Sequence, residues 1–278
     1  MKGIMFVSVF SPIIIFLLII AKRLDRKEHA ILLLIRGMFY VDVLWLFVSA
    51  IYGIAEYKLM LPEFTTDLLF WNLPISMEQA VLTTQCLGYY VQAIVEEIVK
   101  LLVVYFISNK FAKIYSKYDG YWYFIIAALS FATPETFGYC LRSDIWTNTL
   151  SNRLVSATAG HIWFFFINAK FTQKAINNQR KDQQIKWCVV GILMSGIMHG
   201  TYNLMHITPA MIFEKNWLAG LAILMLVKVA EFYIVFSVWN NILILCNGMK
   251  YYNAKHRRLY LKPSPFEVGC TSPKEILS

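Results

Sequence analysis

The sequence predicts an all-α fold, a polytopic transmembrane helical bundle of about seven spans, and three observations carry that expectation. Of the 278 residues, 58% are hydrophobic and only 15% are charged, against roughly 45–50% and about 25% in soluble domains. The apolar residues fall in blocks of about 18 to 28, the length that takes a helix across roughly 30 Å of hydrocarbon at 1.5 Å per residue. Lys and Arg gather in short clusters between those blocks, as they do in loops that obey the positive-inside rule. The net charge of +9 therefore belongs to helix ends, and no nucleic-acid partner is expected.

The first block, 3–20, is too long for a signal peptide. No small-residue cleavage site follows it and Lys22-Arg23 comes next, so it reads as an uncleaved anchor. Blocks 30–54, 81–107, 121–141, 154–171, 187–210 and 218–245 complete the series. Most of the 26 Lys and Arg lie in 21–29, 108–120, 170–186 and 246–278, and few lie in the alternate segments. That split places the N-terminus outside and the C-terminus in the cytoplasm of a multi-pass cell-membrane protein. The bundle occupies 1–247, with a catalytic core over 81–210, and a basic tail follows over 248–278. Lys250, Lys255, Arg257, Arg258 and Lys262 in the tail suit anionic inner-leaflet lipid. The outer loop 55–80, acidic around Phe70-Trp71, suits a segment lying on the membrane surface. The five cysteines show no CxxC pair and no metal-finger spacing. Cys86 and Cys140 fall near outer helix ends, where a disulfide is conceivable.

Ionisable side chains inside apolar helices cost about 2.5 kcal/mol or more each on insertion scales, which makes them functional-site candidates. The third block holds Glu96-Glu97-x-x-Lys100, with Glu96 and Lys100 on one helix face. The fourth holds Glu135 beside Pro134, the fifth His161, and the sixth His199 and Asn203, one turn apart. Counted at about 1.5 Å per residue from the cytoplasmic helix ends, Glu96, Glu135, His161 and His199 lie roughly 15 to 21 Å deep. Four helices thus contribute to one layer near the bilayer centre. Two imidazoles and a carboxylate supply three metal ligands and leave a fourth position for water, as in a catalytic zinc site. His161, His199 and Glu135 make up such a set, and a further Glu beside the water serves as general base.

The Glu96 to Lys100 EExxK, Glu135-x-x-x-Tyr139, the lone His161 and His199-x-x-x-Asn203 resemble, in that order, the PrsW family of intramembrane proteases. That family is related to the CAAX prenyl endopeptidases and the bacteriocin-processing Abi proteins. The match runs from about residue 90 to 205, four helices of the set. The resemblance implies an endopeptidase acting on a membrane-anchored protein, an anti-sigma factor in the bacterial PrsW case. It implies Glu96 as general base with Glu97 as its partner, and His161 and His199 as metal ligands or water activators. Asn203 would steady the oxyanion or orient His199. Two mechanisms are compatible with it, one through zinc and one metal-free.

Two other functions fit a layer of buried carboxylates and histidines. A proton- or cation-coupled transporter would use them as a relay, but no repeated halves are visible. A non-catalytic scaffold or immunity protein of the same fold would keep them as ion pairs between helices. Lys228 and Glu231, at i, i+3, read as a self-satisfied pair. Arg36 is expected to snorkel to the inner surface, with Asp42 paired to it or to Lys100.

Overall fold

In lipid each apolar block must close its own backbone hydrogen bonds, and helix is the form that does so. The computed structural model describes residues 2–23, 30–59, 77–108, 117–213 and 216–261. Among the described residues there are no strands. Helix α1 spans Lys2–Arg23, α2 Ala30–Leu59, α3 Met77–Ile107 and α4 Lys117–Arg142. A short α5, Trp146–Asn152, runs through a π-helical turn, Arg153–Ala157, into α6, Thr158–Ile176. Helix α7 spans Lys181–Phe213 and α8 Trp217–Leu261. Each of the seven blocks seen in the sequence overlaps one long helix. The short α5 is an addition in a stretch where the sequence suggests an outer loop, and the π turn occupies the start of the predicted span 154–171. Much of the outer loop 55–80 and most of the basic tail lie outside the described residues.

Helix α8 continues well past residue 245, where apolar character ends. Lys, Arg, Tyr, Leu and Ala are adequate helix formers, and Pro263 is the first residue beyond α8 that forbids continuation.

Among the described residues, five segments are long and apolar enough to cross a membrane: Gly3–Lys22, Ala30–Val48, Gly120–Arg142, Lys181–His206 and Trp217–Gly248. Helices α3 and α6 fall outside this group because of the residues they carry, Glu96, Glu97 and Lys100 on one and His161, Asn168, Lys170, Gln173 and Lys174 on the other. The protein is thus a multi-pass membrane protein. The exterior shows Leu46, Phe47, Met225 and Phe232, as a lipid-facing surface requires.

Helix α4 is the central element, with 67% of its span buried against 17% for α2. Its Phe124, Ile125 and Leu129 pack with Phe165 and Ile162 of α6 and Leu34 of α2 in one core. Pro134 lacks the N–H that would close a helical turn, and the adjoining Thr133 hydroxyl donates to the Leu129 carbonyl at 2.6 Å.

Small residues set how closely the helices approach. A Cβ on Gly196 or Gly200 of α7 would stand 2.9 Å from the Cα of Ile94 and 3.0 Å from the Cα of Tyr90, both on α3. This GxxxG pair brings the two backbones together and carries His199 to the carboxylates of α3. A Cβ on Gly37 of α2 would collide with the Ser130 side chain of α4, whose hydroxyl donates to the Leu34 carbonyl at 3.2 Å. Gly37→Ala is therefore expected to destabilise the bundle by about 1–3 kcal/mol through overpacking. Thermal unfolding in detergent checks it, and adding Ser130→Ala should return part of the loss.

Candidate active site

Three turns of α3 supply the acidic part of the site. Glu96 is 2% exposed, and Glu97 and Lys100 are fully buried. Lys100 pairs with Glu97, three residues away, in direct contact. The sequence expectation joined Lys100 to Glu96, since positions three and four apart both face a given side chain. The structure turns Glu96 instead toward Gln92, whose amide donates to Oε1 at 3.1 Å, and toward His199. Asp42 does not reach Lys100, and among the described residues it has no partner. Cys86 and Cys140 are free thiols. The conceivable disulfide does not form, and Cys140 donates to the Trp146 carbonyl at 3.8 Å.

Helix α7 then places His199 against both carboxylates. Its Nδ1 is 3.1 Å from Glu97 Oε1, and its Nε2 is 3.6 Å from Glu96 Oε2. A carboxylate behind the far ring nitrogen fixes the tautomer and leaves Nε2 free to take a ligand. Phe164 stacks on the imidazole, ring centres 4.8 Å apart, and prevents it from rotating.

Helix α6 brings in His161, 4% exposed, its ring centre 5.1 Å from that of His199. Its Nδ1 lies 3.1 Å from Lys100 Nζ and its Nε2 lies 2.8 Å from Glu135 Oε2. The same Glu135 oxygen takes Arg153 Nη2 at 2.7 Å. Arg153 also stands 3.9 Å over the Tyr139 ring.

Arg153 is the site residue that sequence reasoning missed, having counted it as a loop charge. It opens the π turn, a feature common at functional sites. The available signal was its position eight residues before His161, about two helical turns along the same face.

The donors brought within 4.8 Å of one another are Glu96, His161 and His199. Glu135, which the sequence reading places in the ligand set, stands beside them against His161 and Arg153. The three donors fit a metal ion on an independent observation. Glu96 Oε2 is buried without a hydrogen-bond partner, although a bare buried carboxylate oxygen is costly. Its 3.6 Å separation from His199 Nε2 is long for a hydrogen bond but close to the roughly 3.4 Å between two donors on a tetrahedral zinc.

A cavity of 470 Å³ opens onto this cluster, lined by Glu96, Glu135, His161, His199 and Asn203. Its far wall carries His206, Lys228 and Glu231. Lys228 and Glu231 pair at 2.9 Å, as the sequence suggests, and His206 Nε2 joins Glu231 at 3.4 Å. Asn203 lies one turn beyond His199 on the cavity wall.

A polar cavity that admits water to paired carboxylates and imidazoles inside a membrane bundle defines a class of enzyme, the proteases that work within the bilayer. A family model described as PrsW family intramembrane metalloprotease matches residues 42–239, well over half of the chain. The chain belongs to the PrsW family, and it is a membrane-embedded protease. Among curated proteins and solved structures no match to it is found.

Proposed function

We propose that the chain is a zinc-dependent endopeptidase of the cell membrane that cuts a membrane-anchored protein, as the bacterial anti-sigma-factor proteases it resembles do. The observation that carries this reading is the partnerless Glu96 Oε2 facing His199 Nε2, with His161 in the same group. Glu96, His161 and His199 would hold the ion, His161 through Nε2 in place of its hydrogen bond to Glu135. When bound, the ion supplies Lewis acidity toward water and the scissile carbonyl.

The remaining residues bind, orient and move protons. Glu97 accepts the Nδ1 proton of His199 and so keeps Nε2 available. Both contacts of Glu135 fall on Oε2, which leaves Oε1 to receive the proton of the attacking water. On this assignment Glu135 takes the role of general base and Glu96 joins the ligands. Arg153 holds the Glu135 carboxylate in place, and the Asn203 amide donates to the developing oxyanion.

The reading takes all seven long helices as spans, with the N-terminus outside and the C-terminus cytoplasmic. The bundle is then 1–247, its core 81–210, and the basic tail 248–278 lies against anionic lipid. The relation to the CAAX prenyl endopeptidases is part of this reading through the PrsW resemblance.

Metal content tests the proposal. Purified protein is expected to carry about one equivalent of zinc per chain, and the His161→Ala, His199→Ala double variant under about a tenth of that. Equal, negligible metal in both would overturn the zinc assignment.

A further inference from the structure

A second cavity, of 310 Å³, lies between α2, α3 and α4 and also reaches Glu96 and Glu135. The reacting groups therefore stand between two chambers, the polar one beside α6, α7 and α8 and this one behind α2. Helix α2 is the least enclosed of the five candidate spans. Its Val43, Leu46 and Phe47 are exposed around Asp42, so this chamber adjoins the lipid.

Asp42 lines the α2 chamber and is exposed within a span whose other charged residue is Arg36, six residues earlier. It has no partner among the described residues. An unpaired carboxylate at such a position costs about 2.5–3.5 kcal/mol or more, a cost that a cationic side chain arriving from the membrane would relieve. Arg142, which lines the same chamber, sits at the end of α4. It is seven residues beyond Glu135, about 10 Å along the helix, and makes no bond to Asp42.

Beside Asp42 on α2 and facing it on α4, the chamber has an apolar side and an open one. Trp45 stands edge-on to Phe131, ring centres 5.9 Å apart, and forms an apolar side. At Gly138 an added Cβ would meet nothing within 4 Å. This glycine is needed for no helix contact, and it leaves open space one turn from Glu135.

We propose that the chamber between α2 and α4 is the binding subsite for the substrate's membrane segment, and that Asp42 selects a segment bearing a basic side chain. The proposal rests on the protease reading above. Water reaches Glu135 from the larger polar cavity, and the substrate backbone reaches it from the lipid side.

Binding of synthetic single-span reporter helices to the full-length Glu96→Gln protein in lipid nanodiscs, read by fluorescence anisotropy, tests the proposal without turnover. The reporters differ only in a Lys, Leu or Glu scanned along the apolar segment. At the best position the Lys reporter should bind about tenfold tighter than the Leu reporter, with the Glu reporter weakest. Asp42→Asn should remove most of that preference, and Asp42→Lys should reverse it toward Glu. Gly138→Phe should weaken every reporter about tenfold or more, with the melting temperature kept. A Lys preference that survives Asp42→Asn, or undiminished binding to Gly138→Phe, would overturn the proposal. Reporters that bind in the expected pattern but are never hydrolysed by the parent chain would leave the subsite standing and remove the protease reading. Hydrolysis without the pattern would do the opposite.

Discussion

Glu96→Gln is expected to lower cleavage of a membrane-anchored reporter by at least about 10³-fold while the protein still inserts and folds. Glutamine preserves the volume of the side chain and its contact with Gln92. It replaces the carboxylate beside His199 with a neutral amide, which is a poor ligand for a divalent ion and no proton acceptor. The fold should be retained, because among the described residues Oε2 of Glu96 has no hydrogen-bond partner, so no internal hydrogen bond is lost with it. Asp182→Asn is the matched control, a charge removed from a surface pair with Arg180. Reporter cleavage in cells, normalised to protein level, checks both. Activity in Glu96→Gln within tenfold of the parent would remove Glu96 from the chemistry.

Lys100→Met is expected to have the largest effect on stability, a loss of about 3–5 kcal/mol. The ammonium is fully buried. It contacts Glu97, lies 3.1 Å from His161 Nδ1, and stands 5.1 Å from the centre of the Phe131 ring. Removing it leaves the Glu97 carboxylate in the core with His199 as its only remaining partner. The double variant Lys100→Met, Glu97→Leu removes both charges and should regain much of the stability, since buried pairs replaced by apolar groups are often tolerated. It should not regain activity, because His199 then loses the carboxylate behind Nδ1. Denaturant unfolding of the two singles and the double supplies the coupling. A double variant as unstable as Lys100→Met alone would show that packing of the lysine stem, not charge, is what matters.

The all-α class and the seven long helices were legible because hydrophobic block length is a physical requirement of the bilayer. The members of the site were legible for a related reason, since an ionisable residue within an apolar run is conspicuous. Their partners were not. Periodicity puts Lys100 within reach of both Glu96 and Glu97, and the choice of Glu97 depends on where α6 and α7 deliver His161 and His199. Arg153 lay in a polar stretch that looks like any loop, and nothing local announces the π turn. Gly196 and Gly200 were in view, but glycines are common in membrane helices, and only the facing Tyr90 and Ile94 give the pair its meaning. Helix α8 outruns its span because apolarity marks where lipid ends, whereas a helix stops where its backbone can no longer continue.

The two long helices outside the group apolar enough to cross a membrane, α3 and α6, are the ones that bear Glu96, Glu97, Lys100 and His161. Insertion machinery sorts a nascent segment by its own hydrophobicity, so both helices depend on packing against their neighbours. Glu97 and His199, the pair that completes the cluster, are 102 residues apart in the chain. A ribosome must therefore finish α7 before the glycine pair can dock α3 and assemble the donors. A chain that ends before α7 therefore carries the carboxylates of α3 without the His199 imidazole beside them.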